Sequence, residues 1–207
     1  MDINVGDIVK KINISGQVKL HEPMNRHTSF QIGGPADMYT LPADEADIGL
    51  IAGVAHSEGV PLFILGAGAN ILVSDKGIRG IVIDMSRFAG IEVKGQQLHC
   101  GTGAEISHVA EIAAQHSLGG LEFIYKMPGS VGGALWMNAR CYGQSISEVP
   151  GTVHYLDEAL SHQNLTLPDP LFAYKKSPFQ GSSAILLSLD LRLQTADYAA
   201  IWARMQE

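Results

Sequence analysis

The sequence Leu65-Gly-Ala-Gly-Ala-Asn-Ile71 forms a glycine-rich loop between two apolar runs. Its glycines permit backbone conformations that other residues avoid, and they keep side chains out of the way. Successive main-chain N–H groups in such a loop can converge on an anion, and Asn70 can fix the turn by hydrogen bonding to nearby backbone. An ordinary turn between two strands is the alternative, since one such loop is a weak signal of phosphate binding.

This loop matches neither of the two common phosphate-binding fingerprints. A Rossmann fingerprint needs a helix directly after the glycines, whereas the apolar run Ile71-Leu-Val73 predicts a strand. A P-loop needs Gly-Lys followed by Ser or Thr, and that sequence does not follow here. A phosphate site at this position would therefore be of another type.

A second glycine-rich loop, Pro128-Gly-Ser-Val-Gly-Gly-Ala134, strengthens the case for a ligand. Ser130 can cap a short helix over residues 131–138. Gly132, Gly133 and Ala134 would give that helix a flat face, which suits a large planar group or close packing against another backbone. Both interpretations stay open, but two such loops in one small chain favour a dinucleotide over a mononucleotide.

The segments around these loops alternate between helical and extended patterns. Helices are predicted near residues 8–12 and at 44–57, 104–116 and 197–207, and a polar loop at 158–170. Strands are predicted at 36–41, 61–65, 71–73, 81–83, 91–93, 97–100, 153–156 and 184–193. This order predicts an α+β fold with two lobes, residues 1–86 and 87–207, of which the second ends in a C-terminal helix.

Composition excludes several classes of partner. The formal net charge is −7 and no basic stripe is present, which argues against nucleic-acid binding. Cys100 and Cys141 lack metal-ligand spacing and are too few for a disulfide scaffold, so we expect two reduced, buried thiols and no metal. Without a secretory signal or a run of about 20 apolar residues, we expect a cytoplasmic protein with no membrane partner.

Four spaced motifs carry a resemblance to a known family. They are HTSFQIGGPAD at 27–37, LGAGANILVSDKGIRGIVI at 65–83, PGSVGGALWMNARCYG at 128–143 and LFAYKKSPF at 171–179. In this order and spacing the sequence resembles the UDP-N-acetylenolpyruvoylglucosamine reductases. The resemblance implies a two-lobed FAD-binding fold of the vanillyl-alcohol-oxidase, or PCMH, type.

The resemblance also implies a chemistry and a set of site residues. Such enzymes use FAD, which NADPH reduces, to convert UDP-N-acetylglucosamine enolpyruvate to UDP-N-acetylmuramate for peptidoglycan synthesis. The pyrophosphate would lie on the first glycine loop, and the second motif would border the stretch from adenine to flavin. The cofactor-binding residues implied in this way are Leu65, Gly66, Ala67, Gly68, Ala69, Asn70, Ile71, Pro128, Gly129, Ser130, Val131, Gly132, Gly133, Ala134, Asn138 and Ala139.

Several positions depart from the family pattern. The usual Tyr-Arg-x-Ser has Lys175 in place of its arginine, so Lys175 is the candidate catalytic residue, with a plain surface lysine as the alternative. Ala69 replaces a serine, and Lys126 stands where glycine is common. Arg140 replaces a glycine, so we expect either a shifted or strained backbone there or a guanidinium that replaces the missing arginine.

The family's substrate domain follows the strand that here ends near Leu193, and this sequence ends at Glu207. We therefore expect the third domain, with its proton donor, to be absent. Two functions remain at this point. In the first, the chain supplies the FAD-binding part of the reductase. In the second, it is a non-catalytic FAD-binding protein, either a degenerate or a regulatory homologue.

Overall fold

The computed structural model of the chain describes residues 5–207. They form two compact units that meet in sequence between Arg87 and Phe88. Helices and sheets occur in both units, so the predicted α+β class is confirmed.

Unit 1 is built on a four-stranded sheet with the order β1-β2-β4-β3. Strands β1 and β2 are antiparallel, whereas β4 lies parallel to both β2 and β3. The elements are α1 (Val5–Lys11), β1 (Gln17–Pro23), β2 (Pro35–Leu41), α2 (Glu45–Ser57), β3 (Leu62–Leu65) and β4 (Ile78–Asp84).

Helix α2 forms as the sequence predicts. The Asp44 carboxylate accepts a hydrogen bond from the Asp47 N–H at 3.0 Å and so caps the first turn. Four apolar side chains on one face are buried: Ile48, Ile51, Ala52 and Ala55. Asp47 itself accepts hydrogen bonds from the N–H groups of Ser15, Gly16 and Ala43. Burial by itself raises the pKa of the Asp47 carboxyl. The three N–H donors lower it by a larger amount, so the pKa lies below its ordinary value.

The parallel pairing of β3 and β4 positions the first glycine loop. Leu65, the last residue of β3, pairs with Asp84, the last residue of β4. The Met85 N–H continues the contact by donating to the Leu65 carbonyl at 2.9 Å. The loop that follows Leu65 therefore begins at the carboxyl edge of the sheet, where open α/β sheets bind ligands.

Unit 2 is built on a five-stranded antiparallel sheet with the order β11-β10-β12-β6-β5. The strands of this sheet are β5 (Ile91–Lys94), β6 (Gln97–Gly101), β10 (Gly151–Leu156), β11 (His162–Leu167) and β12 (Ile185–Arg192). The remaining elements are α3 (Ile106–Gln115), β7 (Leu118–Gly119), α4 (Val131–Met137), β8 (Arg140–Cys141), β9 (Gln144–Ser145), β13 (Gln194–Thr195) and α5 (Tyr198–Gln206).

One face of this sheet is apolar and the other polar. The buried side chains from the sheet and α3 are Leu98, Cys100, Val109, Ala110, Ala113, Val153, Leu189 and Leu191. Burial raises the pKa of the Cys100 thiol to about 12, so it is an inert core thiol. Cys141 is also free but only half-buried, so the prediction of two buried thiols holds for Cys100 alone.

Two of the predicted segments are wrong. Residues 71–73 form no strand, because the chain turns at Ala69 and Asn70 and only enters β4 at Ile78. The expected polar loop at 158–170 contains β11, which pairs with β10. Its polar composition misled the prediction, because β11 is an edge strand whose side chains are largely exposed.

Within residues 5–207, no helix has the length and apolar composition needed to cross a bilayer. No group of three or more His, Cys, Asp or Glu side chains in the described part of the chain is arranged to hold a metal ion.

Candidate functional site

The first glycine loop packs against a neighbouring loop through its main chain. Gly68 is buried and has a φ of +63°, and a Cβ at this position would collide with the carbonyl oxygen of His27. The Ser29 N–H donates to the Gly68 carbonyl at 3.0 Å. Gly68 is therefore required for this close approach and for its left-handed conformation.

Four consecutive N–H groups in this loop are available to a ligand. No acceptor among the described residues takes a hydrogen bond from the N–H of Ala67, Gly68, Ala69 or Asn70. Ala67 and Asn70 are exposed. Unsatisfied main-chain donors close together form an anion-binding nest, so the loop fits a phosphate-bearing group.

Exposed apolar side chains flank this loop. Phe30, next to the Ser29 that bonds Gly68, is 62% exposed, and Leu72, just after the loop, is 74% exposed. Large exposed apolar groups beside polar donors are typical of a ligand-binding surface. The surroundings of the loop therefore suit an organic ligand better than inorganic phosphate alone.

Four side chains close to the loop form a hydrogen-bonded network. We call it the Tyr39 network, and it consists of Glu22, His27, Tyr39 and Asp84. The buried Tyr39 hydroxyl donates to Asp84 Oδ2 and lies 3.0 Å from His27 Nδ1. His27 Nε2 lies 3.0 Å from Glu22 Oε1. Burial, followed by the Asp84 hydrogen bond, raises the pKa of Tyr39 well above its ordinary value. No sequence pattern indicated Tyr39 or Asp84.

The second glycine motif uses its donors within unit 2. The N–H groups of Val131 and Gly132 donate to the carbonyls of Ala104 at 2.9 Å and Thr102 at 2.8 Å. Ser130 Oγ caps α4, as predicted, by accepting from the Gly133 N–H at 3.3 Å. The start of α4 is thus tied to the segment before α3 and has few donors left for a ligand.

The two glycines of α4 serve different purposes. A Cβ at Gly132 would lie 2.9 Å from the Thr102 Cβ, so this position serves close packing. Gly133 is exposed, and a Cβ there would meet only Ser130 Oγ at 3.4 Å. Of the two interpretations that the sequence left open, close packing fits Gly132, and a ligand-facing surface is left at Gly133.

Asn138 supports other loops with both ends of its amide. It is buried and ends α4 in a left-handed conformation with a φ of +44°. Its Nδ2 donates to the Ala173 carbonyl at 2.8 Å, and its Oδ1 accepts from the Ser147 N–H at 3.3 Å. The side chain therefore holds the loop that carries Lys175.

Lys175 lies exposed on that loop, with its Nζ 5.7 Å from the centre of the Tyr174 ring. The loop is fixed to the end of α4, because Ser177 Oγ and Gln180 Nε2 donate to the Trp136 carbonyl at 2.8 and 3.0 Å. Lys175 is thus a solvent-facing cation on a well-anchored loop.

Arg140 does not have the strained backbone that its replacement of a glycine suggested. It lies in β8, and the left-handed residues nearby are Asn138 and Tyr142. Its guanidinium contacts its own hairpin, through Ser145 Oγ at 2.9 Å, the Gly143 carbonyl and Glu148 Oε1 at 3.1 Å. These contacts occupy the guanidinium that was a candidate to replace the missing arginine.

Comparisons with known proteins identify the family of the chain. The sequence profile of the family described as "FAD binding domain" matches residues 36–158. The UDP-N-acetylenolpyruvoylglucosamine reductase of Caldanaerobacter subterraneus is 38% identical over 97% of this chain and 67% of that enzyme. The chain belongs to the UDP-N-acetylenolpyruvoylglucosamine reductase family. The reductase of Heliobacterium modesticaldum is 37% identical over 93% of this chain, which spans 62% of its length.

Solved structures support the same assignment. The reductase from Thermus caldophilus superposes with a TM-score of 0.78 at 25% identity, covering 92% of this chain and 67% of that one. A cholesterol oxidase from Brevibacterium sterolicum shares the fold alone, with a TM-score of 0.64 at 17% identity over 87% of this chain and 38% of that one. The predicted PCMH-type fold and FAD as the cofactor are confirmed, and none of these relatives favours the non-catalytic alternative.

Lys126, where glycine is common in the reductase family, provides a test of local strain. Its φ is +59°, and its N–H donates to Ser107 Oγ at 2.8 Å. A left-handed conformation destabilises a non-glycine residue by about 1–2 kcal/mol. Glycine avoids this strain, but its greater flexibility in the unfolded chain cancels roughly 0.5–1 kcal/mol of the benefit. Lys126→Gly should therefore raise the free energy of unfolding by about 0.5–1 kcal/mol in urea denaturation.

The matched control is Lys126→Ala, which also removes the contact between the lysine Nζ and the Tyr125 ring at 5.1 Å but keeps the strained backbone. The free energy of unfolding of this variant should not exceed that of the wild type. Equal stability of the glycine and alanine variants would mean that the backbone at this position is not strained.

Proposed function

We propose that this chain supplies the FAD-binding part of a UDP-N-acetylenolpyruvoylglucosamine reductase. The enzyme would use NADPH to reduce UDP-N-acetylglucosamine enolpyruvate to UDP-N-acetylmuramate in the cytoplasmic stage of peptidoglycan synthesis. The observation that carries the proposal is the nest of free N–H groups at residues 67–70, inside the segment that matches the FAD-binding family. FAD, when bound, supplies the hydride-transfer chemistry.

In this proposal the first glycine loop binds the pyrophosphate. Free main-chain donors suit a diphosphate because they carry partial positive charge and need no counter-ion of their own. Ala69, which replaces the usual serine, removes one hydroxyl donor but leaves the main-chain donors in place. A single lost hydrogen bond weakens binding by roughly 1 kcal/mol, so the substitution is compatible with FAD binding.

The second motif contributes mainly as support. Its buried residues, namely Ser130, Val131, Ala134 and Asn138, hold α4 and the neighbouring loops in place. The exposed surface at Pro128 and Gly133 is the part that we propose for contact with FAD.

We assign Lys175 to the substrate. A developing enolate is stabilised by positive charge placed where its negative charge forms, and Lys175 is an exposed cation on a loop that Asn138, Ser177 and Gln180 anchor. Lysine offers a point charge in place of the planar, two-pronged donor set of arginine, so the substrate carboxylate would be held less rigidly.

The activity can be tested on the chain as it exists. The protein is loaded with FAD and mixed anaerobically with NADPH, which should bleach the visible absorbance of the flavin. Addition of the UDP-enolpyruvyl sugar then distinguishes the two functions, because a return of that absorbance would exclude the non-catalytic alternative. A chain that cannot be loaded with FAD would contradict the proposal that it supplies the FAD-binding part of the reductase.

The position of the pyrophosphate is tested by Ala67→Asp. Ala67 is exposed, so an added carboxylate can be accommodated while it repels a diphosphate. Two unit charges about 4 Å apart interact by about 1 kcal/mol in water and about 4 kcal/mol near a protein surface, which predicts at least about a fivefold rise in the FAD dissociation constant. Flavin fluorescence titration measures that constant.

The control is Ala67→Asn, which has the same shape without the charge and should bind FAD nearly as the wild type does. The difference between the two variants should shrink as salt is added. Equal affinities of the Asp and Asn variants would refute the loop assignment. Gly68→Asp would be less informative, because any side chain there collides with the His27 carbonyl.

A further inference from the structure

The Tyr39 network connects the two segments that fix the first glycine loop. We propose that Tyr39 is a positioning residue that holds this loop in the shape required by the FAD diphosphate. The inference rests on the proposed function, since it assumes that the loop binds FAD. Tyr39 would not touch the cofactor and would act only through His27 and Asp84.

The first of these segments is residues 27–29. The His27 carbonyl lies against Gly68, and the Ser29 N–H bonds the Gly68 carbonyl. A displacement of His27 therefore moves the middle of the loop, where the free N–H groups lie. The His27 side chain fixes this segment, because its ring stacks on Tyr39 at 4.3 Å and its nitrogens reach Tyr39 and Glu22.

The second segment is the end of β4. Asp84 pairs with Leu65, and the next residue, Met85, bonds the Leu65 carbonyl at the start of the loop. The Asp84 carboxylate is held from two sides, since Oδ1 accepts from the Ser86 N–H at 2.7 Å and Oδ2 accepts from the Tyr39 hydroxyl. The start of the loop is thus tied to the same buried side chain as its middle.

Tyr39 connects these two segments from within the core. It is 1% exposed and belongs to the cluster of buried apolar residues that includes Leu65. Its hydroxyl hydrogen-bonds to both His27 and Asp84. Removal of this oxygen leaves a buried carboxylate short of a donor and frees the His27 ring from one of its two partners.

Lys19 and Arg26 are the charged groups outside the network that lower the pKa of Glu22. Lys19 Nζ lies 3.6 Å from Glu22 Oε1 and 5.8 Å from the centre of the Tyr39 ring. The hydrogen bond with His27 lowers the pKa of Glu22 most; burial opposes this, and Lys19, His27 and Arg26 lower it further. Glu22 therefore stays ionised near neutral pH and can accept a hydrogen bond from His27.

The test compares Tyr39→Phe with Thr40→Val in the full-length chain. Both variants remove a buried hydroxyl from β2, but Thr40 Oγ1 donates to the Val82 carbonyl and not to His27, Asp84 or the glycine loop. The probes are FAD and ADP, which carries the adenosine and the diphosphate but no flavin. Tyr39→Phe should raise the dissociation constants of both by about tenfold. Thr40→Val should leave both constants within about twofold at a similar loss of stability.

A second readout is the conformation of the loop in the absence of ligand. Because Tyr39 holds the loop through His27 and Asp84, Tyr39→Phe should shift the amide resonances of residues 67–70. Thr40→Val should leave these resonances close to their wild-type positions, since Thr40 Oγ1 bonds the Val82 carbonyl instead.

The outcomes separate the two proposals. Normal FAD and ADP affinity in Tyr39→Phe, or loop amide resonances that match those of the wild type, would overturn the inference and leave the proposed function standing. A wild-type chain that binds neither FAD nor ADP would overturn the proposed function, and the positioning role with it.

Discussion

Unit 1 depends on one close contact, at which the main chain of Gly68 packs directly against the main chain of His27. No side chain fits between them, so glycine is required at position 68 by packing as well as by its φ of +63°. This contact fixes the loop after β3 against residues 27–29 and leaves four consecutive N–H groups without a partner among the described residues. An unsatisfied donor is costly in a finished fold unless water or a ligand satisfies it, and this links the packing of the loop to its function.

Glycine has a different role in the second unit. Gly132 allows α4 to approach Thr102 closely, and the donors at the start of that helix are used by the carbonyls of Thr102 and Ala104. The two glycine-rich motifs look alike in sequence. One presents consecutive N–H groups without a partner among the described residues, and the other packs closely and leaves a small exposed surface at Gly133. Glycine content alone therefore does not distinguish a loop with free donors from a loop used for packing.

Local patterns predicted most of the elements correctly. The helix at 45–57, its Asp44 cap, the capped helix α4 and the long strand β12 follow from spacing and capping chemistry that act within a few residues. The run Ile71–Val73 was misread as a strand because its composition is apolar, although no neighbouring strand is there to pair with it. Strand formation depends on such a partner, which lies elsewhere in the sequence.

The candidate site was predictable only where one contiguous motif forms it. The loop at 65–71 is such a motif. The Tyr39 network is not, because Tyr39 and Asp84 are 45 residues apart and meet only after β2 and β4 have paired. The environment of Arg140 was equally hard to predict. Its ion pair with Glu148 forms only because the chain folds back through the β8–β9 hairpin, and the local sequence around Arg140 did not indicate that hairpin.

We propose that the main-chain N–H groups of the first glycine loop bind the FAD diphosphate. A direct measurement is the change in the amide resonances of Ala67, Gly68, Ala69 and Asn70 when FAD, and separately ADP, is added to the labelled protein. All four resonances should shift strongly with both ligands. Saturating FAD binding that leaves the four resonances unchanged would contradict it.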